Sequence, residues 1–444
     1  MAGLSVGVAV ARARDYPHGV VSFVDTDGYP VSVAAGFAGA GDSSAAADEL
    51  VLGPLAREVL PESGTEVGVI FSHIHPQPGV GYDERRYVNL WGPAQVDGAL
   101  LRIRPTKATG WDEVETPFFE YAERNVATGR AYLEQAGAKP RLSPFWTVFL
   151  ATRLPFLTAT VVPVVLGGTI AVADGRFHWG WWLLCLLAAV AAHLGINVIN
   201  DVADADSGSD GANVTPTPFS GGSRVIQYGL VSRRTMVATA AGMYAAAAVI
   251  GLLLAVTRST ALFGVGALGL LLGYGYTARP FRFVHRGLGE PVVAIGFGPI
   301  MAAGTYLAVT RHFSAETVYA SIPVGLLCAM ILYVNQVPDR IADASTGKRT
   351  LIVRWSPRQV VAGYAAVCLI AFGLIAAGPL LGITPLPTLI ALGGAWWALK
   401  TYRPLAERFN APYALIPVMQ SNVVAHLATG LLLAAGYLLS AAVN

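Results

Sequence analysis

Beyond Pro144 the chain is a series of long apolar runs separated by short polar segments. Most runs are about 16–25 residues long, close to the ~20 residues with which a helix crosses ~30 Å of hydrocarbon. They predict about nine membrane-spanning helices, an all-α bundle that occupies residues 144–444. The predicted spans are 147–171, 181–199, 236–256, 261–276, 291–309, 318–335, 359–377, 386–399 and 414–440.

Residues 1–140 show a different pattern, in which apolar and polar residues alternate as they do in β-strands. Segment 20–33 carries Asp27 and Gly28 between two such runs, which predicts a β-hairpin with a tight turn. Further strand-like runs follow, and a helical stretch is predicted from Pro117 to Gln135. Many short strands in a domain of this size predict a small soluble β-barrel, so we expect a multi-domain chain.

Composition agrees with a membrane domain and excludes several other classes. Apolar residues make up 54% of the chain and charged residues 13%, about half the usual charged share. The net charge of +2 is too small to indicate a nucleic-acid partner. The three cysteines lie in apolar runs without CxxC spacing, which argues against a disulfide framework or a zinc site. No basic segment followed by an apolar core begins the chain, so no cleavable signal peptide is expected.

The distribution of Lys and Arg predicts how the bundle is oriented. The loops after even-numbered spans hold Arg224, Arg233, Arg234, Arg279, Arg282, Arg286, Arg340, Lys348, Arg349, Arg354, Arg358, Lys400, Arg403 and Arg408. The loops after odd-numbered spans hold Arg176, Arg258 and Arg311. By the positive-inside rule, the side rich in Lys and Arg faces the cytoplasm, and the N-terminal domain lies on that side. The chain is therefore expected to be a multi-pass protein of the cytoplasmic (inner) cell membrane.

Two acidic clusters are predicted in polar loops just past apolar runs, on the same cytoplasmic side. The first cluster comprises Asn197, Asn200, Asp201 and Asp204 and continues to Asp206, Gly208 and Asp210. The second comprises Asn335, Asp339 and Asp343, followed by Lys348 and Arg349. Acidic groups at i and i+4 lie on one helix face, about 5–6 Å apart. Two such sets facing each other suit Mg²⁺, which takes oxygen ligands and keeps substrate phosphates in its shell. Solvated loops are the alternative for either cluster alone.

Four ordered segments resemble the UbiA superfamily of intramembrane prenyltransferases, which carry Asp-rich motifs after the second and sixth of nine helices. The segments are the two clusters, Gly221–Leu230 and Tyr274–Glu290. The gapped NDxxDxxxGxD form and Arg286–Glu290 look most like the dihydroxynaphthoate prenyltransferases of menaquinone synthesis. Two positions depart from the pattern. Gly208 stands where ubiquinone-type relatives have a third aspartate, and Gln336 replaces an Asn common in naphthoate enzymes.

The resemblance assigns roles to the clusters. It implies that the Mg²⁺ ligands are Asn200, Asp204, Asn335, Asp339 and Asp343, and that the catalytic aspartates are Asp201, Asp204, Asp339 and Asp343. Nearby residues are candidates for substrate binding: Arg153, Asn197, Arg224, Tyr276, Arg279, Lys348 and Arg349. Basic side chains bind phosphate oxygens, Arg in bidentate fashion, although loop cations also satisfy the positive-inside rule without a substrate. Arg153 resembles an Arg of relatives and is a candidate for an acceptor carboxylate, with snorkelling as the alternative. His193 is expected to be packed and hydrogen-bonded.

The N-terminal strands resemble the flavin-binding split barrel of pyridoxamine 5'-phosphate oxidase-like proteins. The resemblance rests on the first hairpin and on Arg85–Gly92. Candidates for a flavin phosphate are His73, His75, Arg86, Arg102, Arg104 and Lys107. No Ser/Thr-rich turn accompanies them to complete a phosphate cradle, so a barrel without flavin is the favoured interpretation.

The leading hypothesis is therefore Mg²⁺-dependent transfer of a prenyl group from a polyprenyl diphosphate to an aromatic acceptor, 1,4-dihydroxy-2-naphthoate-like, in menaquinone-type biosynthesis. A related enzyme would use another acceptor, or none, as a terpene cyclase does. From a different class, a transporter could bind cations with these acidic residues. Transporters place charges near the bilayer midplane and show internal repeats, whereas these charges lie at one surface.

Overall fold

The computed structural model describes residues 4–38, 48–77, 81–116, 151–208 and 216–443, together with Tyr121, Phe145, Phe149 and Asn213. The chain forms two compact units, Met1–Ala136 and Gly137–Asn444. Apart from Tyr121, the helix predicted from Pro117 to Gln135 lies outside the described residues, as does Asp210.

The first unit is built on a curled antiparallel sheet. A short helix, α1 (Val6–Ala13), precedes strands β1 (His18–Val24), β2 (Pro30–Gly36), β3 (Leu50–Leu52), β4 (Glu66–Gln77), β5 (Gly81–Asp97), β6 (Leu100–Ile103) and β7 (Lys107–Asp112). The strand order is β2-β1-β4-β5-β6-β3, and β7 pairs with β5. The predicted hairpin is confirmed: Val21 lies opposite Val33, and the Asp25 carboxylate accepts hydrogen bonds from the Asp27 and Tyr29 amides.

The sheet is a half-barrel, and the long strand β5 explains its curl. Its first part pairs with β4 and its last part with β6, so the chain bends along a single strand. Apolar side chains of β5 and of its partner β6, such as Leu90 and Leu101, are fully buried together with Phe71 of β4. One isolated bridge, Phe37 to Leu52, joins the two ends of the sheet. The predicted small barrel is therefore correct in its strand content, and the observed sheet is a half-barrel.

The second unit is helical. Its α-helices are α2 (Thr158–Ala173), α3 (Trp179–Ser207), α4 (Arg233–Thr257), α5 (Ala261–Thr277), α6 (Gly289–Ile295), α7 (Met301–Thr310), α8 (Ala315–Ser345), α9 (Leu351–Arg354), α10 (Pro357–Leu380), α11 (Ala395–Glu407) and α12 (Ile416–Val443). A π-helical turn, Gly296–Ile300, joins α6 to α7. Short 3-10 turns cover Leu154–Leu157, Phe283–Arg286, Leu386–Gly394 and Pro412–Leu415.

Six helical segments of the described chain are long and apolar enough to cross a membrane. They are Trp179–Ser207, Arg233–Thr257, Gly289–Thr310, Ala315–Ser345, Pro357–Leu380 and Pro412–Val443. Helices α2 and α5 are apolar but shorter. The eighth predicted span begins as the 3-10 turn Leu386–Gly394 and continues into α11. A membrane bundle is thus confirmed, and the count of nine spans stays a prediction.

The acidic clusters correct one expectation, because they lie on helices and not in loops. Helix α3 continues through the first cluster to Ser207, and α8 continues through the second to Ser345. The first cluster contains no Gly or Pro before Gly208, which ends α3 with a left-handed φ of 79°. Residues three and four apart in each cluster therefore share one helix face.

Close backbone contact fixes the crossing of α8 with the fifth predicted span. Helix α8 is the most buried of the six long helices. At the crossing, a Cβ placed on Gly325 would overlap the Ala294 carbonyl oxygen and lie 3.0 Å from the Gly298 Cα. In a membrane, helices associate through such close packing at small residues.

Substitution of Gly325 by Val is therefore expected to force these helices apart. We expect Gly325→Val to lower the free energy of unfolding by about 1–3 kcal/mol. Gly264→Val in α5 is the matched control, because a Cβ there meets no heavy atom of the described chain within 4 Å. Denaturant titration in detergent measures both variants, and equal losses would contradict the assigned crossing.

Candidate functional site

A large cavity opens among α3, α4, α5, the π-helical turn, α7 and α8, with a volume of about 1040 Å³. Its charged and amide lining residues come mainly from the two acidic clusters and the segments beside them: Arg153, Asn197, Asn200, Asp204, Asn213, Asn335, Gln336, Asp339, Asp343 and Lys348. The rest of the lining is mostly Ala, Gly, Leu, Ile and Val. The cavity thus joins a polar head to an apolar tunnel.

Helical periodicity brings both acidic clusters to this polar head. On α3, His193, Asn197, Asn200 and Asp204 line the cavity at spacings of three and four residues. The second cluster lines it from α8, through Asn335, Asp339 and Asp343 among others. The two clusters, more than 130 residues apart in sequence, therefore face one volume.

Lys348 lies between the two clusters. Its Nζ is 3.3 Å from the Asp204 carboxylate and 3.5 Å from that of Asp343, and its side chain is 12% exposed. The chain reverses after α8 at Gly347, whose φ is 77°, and the Lys348 amide donates to the Asp343 carbonyl. This C-terminal turn directs the lysine back into the cavity.

The surroundings of Lys348 keep it charged. Burial by itself lowers the pKa of the Lys348 ammonium, but the carboxylates of Asp204 and Asp343 outweigh burial and raise the pKa above its usual value. Burial, together with the positive charges of Arg282 and Lys348, lowers the pKa of the nearby His285 imidazole to about 4. At neutral pH the Lys348 ammonium is therefore charged, and the His285 imidazole is neutral.

Asp339 is held by the loop that follows α3. One of its carboxylate oxygens accepts from Asn213 Nδ2 at 2.8 Å, and the other accepts from the Gly221 amide at 3.1 Å. Gly221 has a φ of 78°, and a Cβ there would lie 2.8 Å from Asn213 Nδ2. Sequence reasoning noted Gly221 within a family segment but missed Asn213, which no local pattern marks.

Asp201 lies behind the cavity wall, 2% exposed, and does not line the cavity. Its carboxylate pairs with Arg153 Nη2 at 2.8 Å and accepts from the Ser223 amide at 3.2 Å. Arg153 itself lines the cavity, and its φ of 52° lies in the left-handed region. A buried ion pair thus anchors the first helical segment to α3.

The remaining residues predicted to bind substrate differ in whether they line the cavity. Asn197 and Tyr276 line the cavity, and Asn197 donates to the Thr152 carbonyl. Arg224 donates to the Asn213 carbonyl. Arg279 and Arg349 are exposed and do not line the cavity.

The donor set of the polar head suits a hard cation. Within the described ranges, no three His, Cys, Asp or Glu side chains form a group that could hold a metal ion, and Lys348 lies between two of the carboxylates. The Oδ1 atoms of Asn200 and Asn335 are buried, and no described donor reaches them. Oxygen ligands from carboxylates and amides are those that Mg²⁺ prefers, so these residues fit the ion.

The apolar tunnel is long, and packed side chains mark its far end. Lining residues on α3 extend from Asp204 to Cys185, which corresponds to ~28 Å at ~1.5 Å per residue. At the far end Cys185, Leu254 and Ala308 pack together as a floor. Next to this floor Arg258 donates to the carbonyls of Ala308 and Val309 at 2.8 and 2.7 Å, and its guanidinium lies over the Trp181 ring. We name this arrangement the Arg258 clasp.

Four basic candidates for a flavin phosphate have partners within the first unit. Arg102 and Arg104 both pair with the buried Glu49. Arg86 lies over the Tyr16 ring and Lys107 over the Trp91 ring. These contacts give a partner to each of these cationic side chains, which the sequence analysis named as candidates for binding a flavin phosphate.

Sequence comparison with known proteins identifies a family for the helical unit. The model of the UbiA prenyltransferase family matches residues 160–415, which is more than half of the chain. A 2-carboxy-1,4-naphthoquinone phytyltransferase of Synechocystis is 29% identical over 291 residues, which cover 65% of this chain and 91% of the relative. A 1,4-dihydroxy-2-naphthoate octaprenyltransferase of Mycobacterium tuberculosis is 28% identical over 309 residues, 67% of this chain and 94% of the relative.

Among solved structures, the apo structure of a UbiA homolog from Aeropyrum pernix K1 aligns with a TM-score of 0.47 at 18% identity. The alignment covers 63% of this chain and 97% of that chain.

The Arg153–Asp201 pair yields a prediction about stability. Arg153→Met leaves the Asp201 charge buried without its partner, so we expect the free energy of unfolding to fall by about 3–5 kcal/mol. Adding Asp201→Asn removes that charge and should restore much of the loss. Arg349→Met, at an exposed position, is the control. Denaturant titration in detergent measures the free energy of unfolding of each variant. If Arg153→Met lowers it no more than the control does, the ion pair is dispensable for stability.

Proposed function

This chain belongs to the UbiA family of prenyltransferases, and we propose that it transfers a prenyl group from a polyprenyl diphosphate to an aromatic acceptor of the dihydroxynaphthoate class. Its relatives are named as naphthoate prenyltransferases of two kinds, one phytyl and one octaprenyl. Both kinds of reaction join a long apolar tail to a polar aromatic ring. The proposal therefore requires one site that accommodates both.

The observation that carries the proposal is the division of the cavity into a polar head and an apolar tunnel. A prenyl diphosphate has the same division, a charged group on a long hydrocarbon. Asp204 and Asp343 line the head together with Lys348, while Ala189, Leu270 and similar residues line the tunnel. Burial of the tail contributes about 0.8 kcal/mol per CH₂ group, so the tunnel supplies affinity and the head supplies position.

In this proposal the two clusters hold Mg²⁺ and the diphosphate. The proposed ligands are Asn200, Asp204, Asn335, Asp339 and Asp343. When bound, Mg²⁺ supplies Lewis-acid neutralisation of the leaving diphosphate. Lys348 adds a positive charge beside the same oxygens, and Asn213 and Gly221 hold the Asp339 carboxylate in place. The apolar walls would exclude water while the prenyl carbon exchanges its bond to the diphosphate oxygen for a bond to an acceptor ring carbon, which then releases its proton, or its carboxylate as CO₂, to restore the aromatic ring.

We also propose that the polar head faces the cytoplasm of a cell-membrane protein. Helix α3 ends at this face and α4 begins there with Arg233 and Arg234. Helix α8 ends there too, followed by Lys348 and Arg349. An excess of Lys and Arg at one face supports the cytoplasmic assignment.

The metal assignment is tested with two neighbouring aspartates of α3. Asp204 lines the cavity, whereas Asp206 is exposed and pairs with Arg233 at 2.6 Å. We expect Asp204→Asn to lower prenyl transfer by about 100-fold or more and to raise the Mg²⁺ concentration for half-maximal activity. Asp206→Asn makes the same chemical change outside the cavity and should retain wild-type transfer.

The assay uses purified full-length protein, a prenyl diphosphate, 1,4-dihydroxy-2-naphthoate and a Mg²⁺ titration after chelation. Mass spectrometry identifies the product, and pyrophosphate release is measured in parallel. Wild-type transfer by Asp204→Asn at saturating Mg²⁺ would contradict the metal site. Pyrophosphate release with a cyclised product, and no transfer to any aromatic acid tested, would replace the transferase by a cyclase.

The tunnel assignment is tested with two glycines of α4. A Cβ on Gly251 or on Gly242 meets no heavy atom of the described chain within 4 Å, so both positions accept a side chain. Gly251 lines the tunnel and Gly242 does not. We expect Gly251→Leu to lower kcat/KM for a long polyprenyl diphosphate by on the order of ten-fold while sparing geranyl diphosphate. Gly242→Leu should leave both unchanged, and equal behaviour of the two variants would locate the tail elsewhere.

A further inference from the structure

His193 lies where the polar head gives way to the apolar tunnel. Along α3 it is the last polar residue of the lining, and Ala192, Ala189 and Cys185 follow toward the floor. It is seven positions from Asn200, which corresponds to ~10 Å along the helix axis. The side chain is 4% exposed and belongs to the cavity wall.

Two neighbouring segments hold the His193 ring in one orientation. Thr160 of α2 shares a hydrogen bond with its Nδ1 at 2.6 Å. Phe297 packs against the ring edge-to-face, with centroids 4.9 Å apart and planes at 70°. Phe297 belongs to the π-helical turn Gly296–Ile300, which interrupts the helix next to the cavity. Turns of this kind occur frequently at functional sites.

The contacts leave one nitrogen of the ring for the cavity. Thr160 bonds Nδ1, and within the described part of the chain no side chain is bonded to Nε2 of His193. A hydroxyl donates or accepts, so Thr160 is compatible with either neutral tautomer. The Nε2 atom can therefore accept a hydrogen bond from a hydroxyl or donate one to a carbonyl oxygen.

We propose that His193 Nε2 hydrogen-bonds an oxygen substituent of the aromatic acceptor and so positions its ring at the start of the tunnel. The inference rests on the proposed function. A prenyl tail offers no hydrogen-bonding atom, and the diphosphate belongs to the head some 10 Å away along α3. The acceptor is the substrate with oxygen atoms on a flat apolar ring, which matches a polar group set in an apolar wall. An ionisable side chain within a membrane helix is expected to serve a function with a definite partner.

Two substitutions separate the roles of the ring nitrogens. His193→Asn places an amide near the position of Nδ1 and keeps a partner for Thr160, but leaves no atom at Nε2. His193→Gln reaches the position of Nε2. We expect H193N to raise KM for 1,4-dihydroxy-2-naphthoate about ten-fold, the worth of one well-made hydrogen bond, and H193Q to raise it less. KM for the prenyl diphosphate should stay within about two-fold in both.

A competition experiment keeps the test decisive if one variant is poorly folded. 1-Hydroxy-2-naphthoate and 4-hydroxy-2-naphthoate each lack one hydroxyl of the acceptor probe and serve as competitors of the full-length enzyme. Wild type should prefer one of them by several-fold, and H193N should bind both equally. His178→Asn, at the N-terminus of α3 and outside the cavity, is the control for handling and folding.

The outcomes distinguish the inference from the function on which it rests. Wild-type transfer with an unchanged acceptor KM in a folded H193N protein would overturn the role of His193 alone. Equal rises in the KM of donor and acceptor would assign His193 to packing. Absence of transfer by wild type to any aromatic acceptor would instead overturn the proposed function.

Discussion

Buried acidic side chains that approach each other from the ends of two membrane helices are stabilised by a cation between them. Asp204 and Asp343 come from α3 and α8, and Lys348 Nζ lies within 3.5 Å of both. A buried carboxylate without a counter-charge is strongly unfavourable, and two of them near each other are more so. The position of Lys348 therefore sets how closely these helix ends approach. The turn at Gly347 brings Lys348 to this position, and the loop that holds Asp339 completes the polar head beside it.

Continuation of both helices through the clusters gives the head its form. On a helix, residues three and four apart project together, so Asn200 and Asp204 meet the cavity while Asp201 turns to Arg153. Asp206 turns outward to Arg233. One short sequence therefore provides a cavity residue, a buried anchor and a surface ion pair. Asp201, Asp204 and Asp206 have chemically identical side chains. Their different partners therefore arise only from the directions in which these side chains project from α3.

Spacing within a helix is a local property, and for this reason the sequence could predict which residues meet at the cavity. The pairing of α3 with α8 was predictable because both clusters end apolar runs on the same side of the membrane. Other features depend on contacts that no local pattern marks. Asn213 reaches Asp339 across 126 positions, and Arg153 meets Asp201 from a separate helical segment. The half-barrel likewise depends on how β5 divides its pairing between β4 and β6, which alternation of polar residues does not specify.

The Arg258 clasp bears on the electrical integrity of the membrane. In the proposed function the polar head holds cations at one end of the cavity, and Cys185, Leu254 and Ala308 pack together at its other end. Arg258 ties α4 to α7 there, and Arg311 donates to the Thr257 carbonyl. A charge that enters the head meets apolar packing and a fixed positive group. Under the proposed function, a cation bound in the head would therefore be separated from the Arg258 clasp by apolar packing, an arrangement that opposes ion leakage along the cavity.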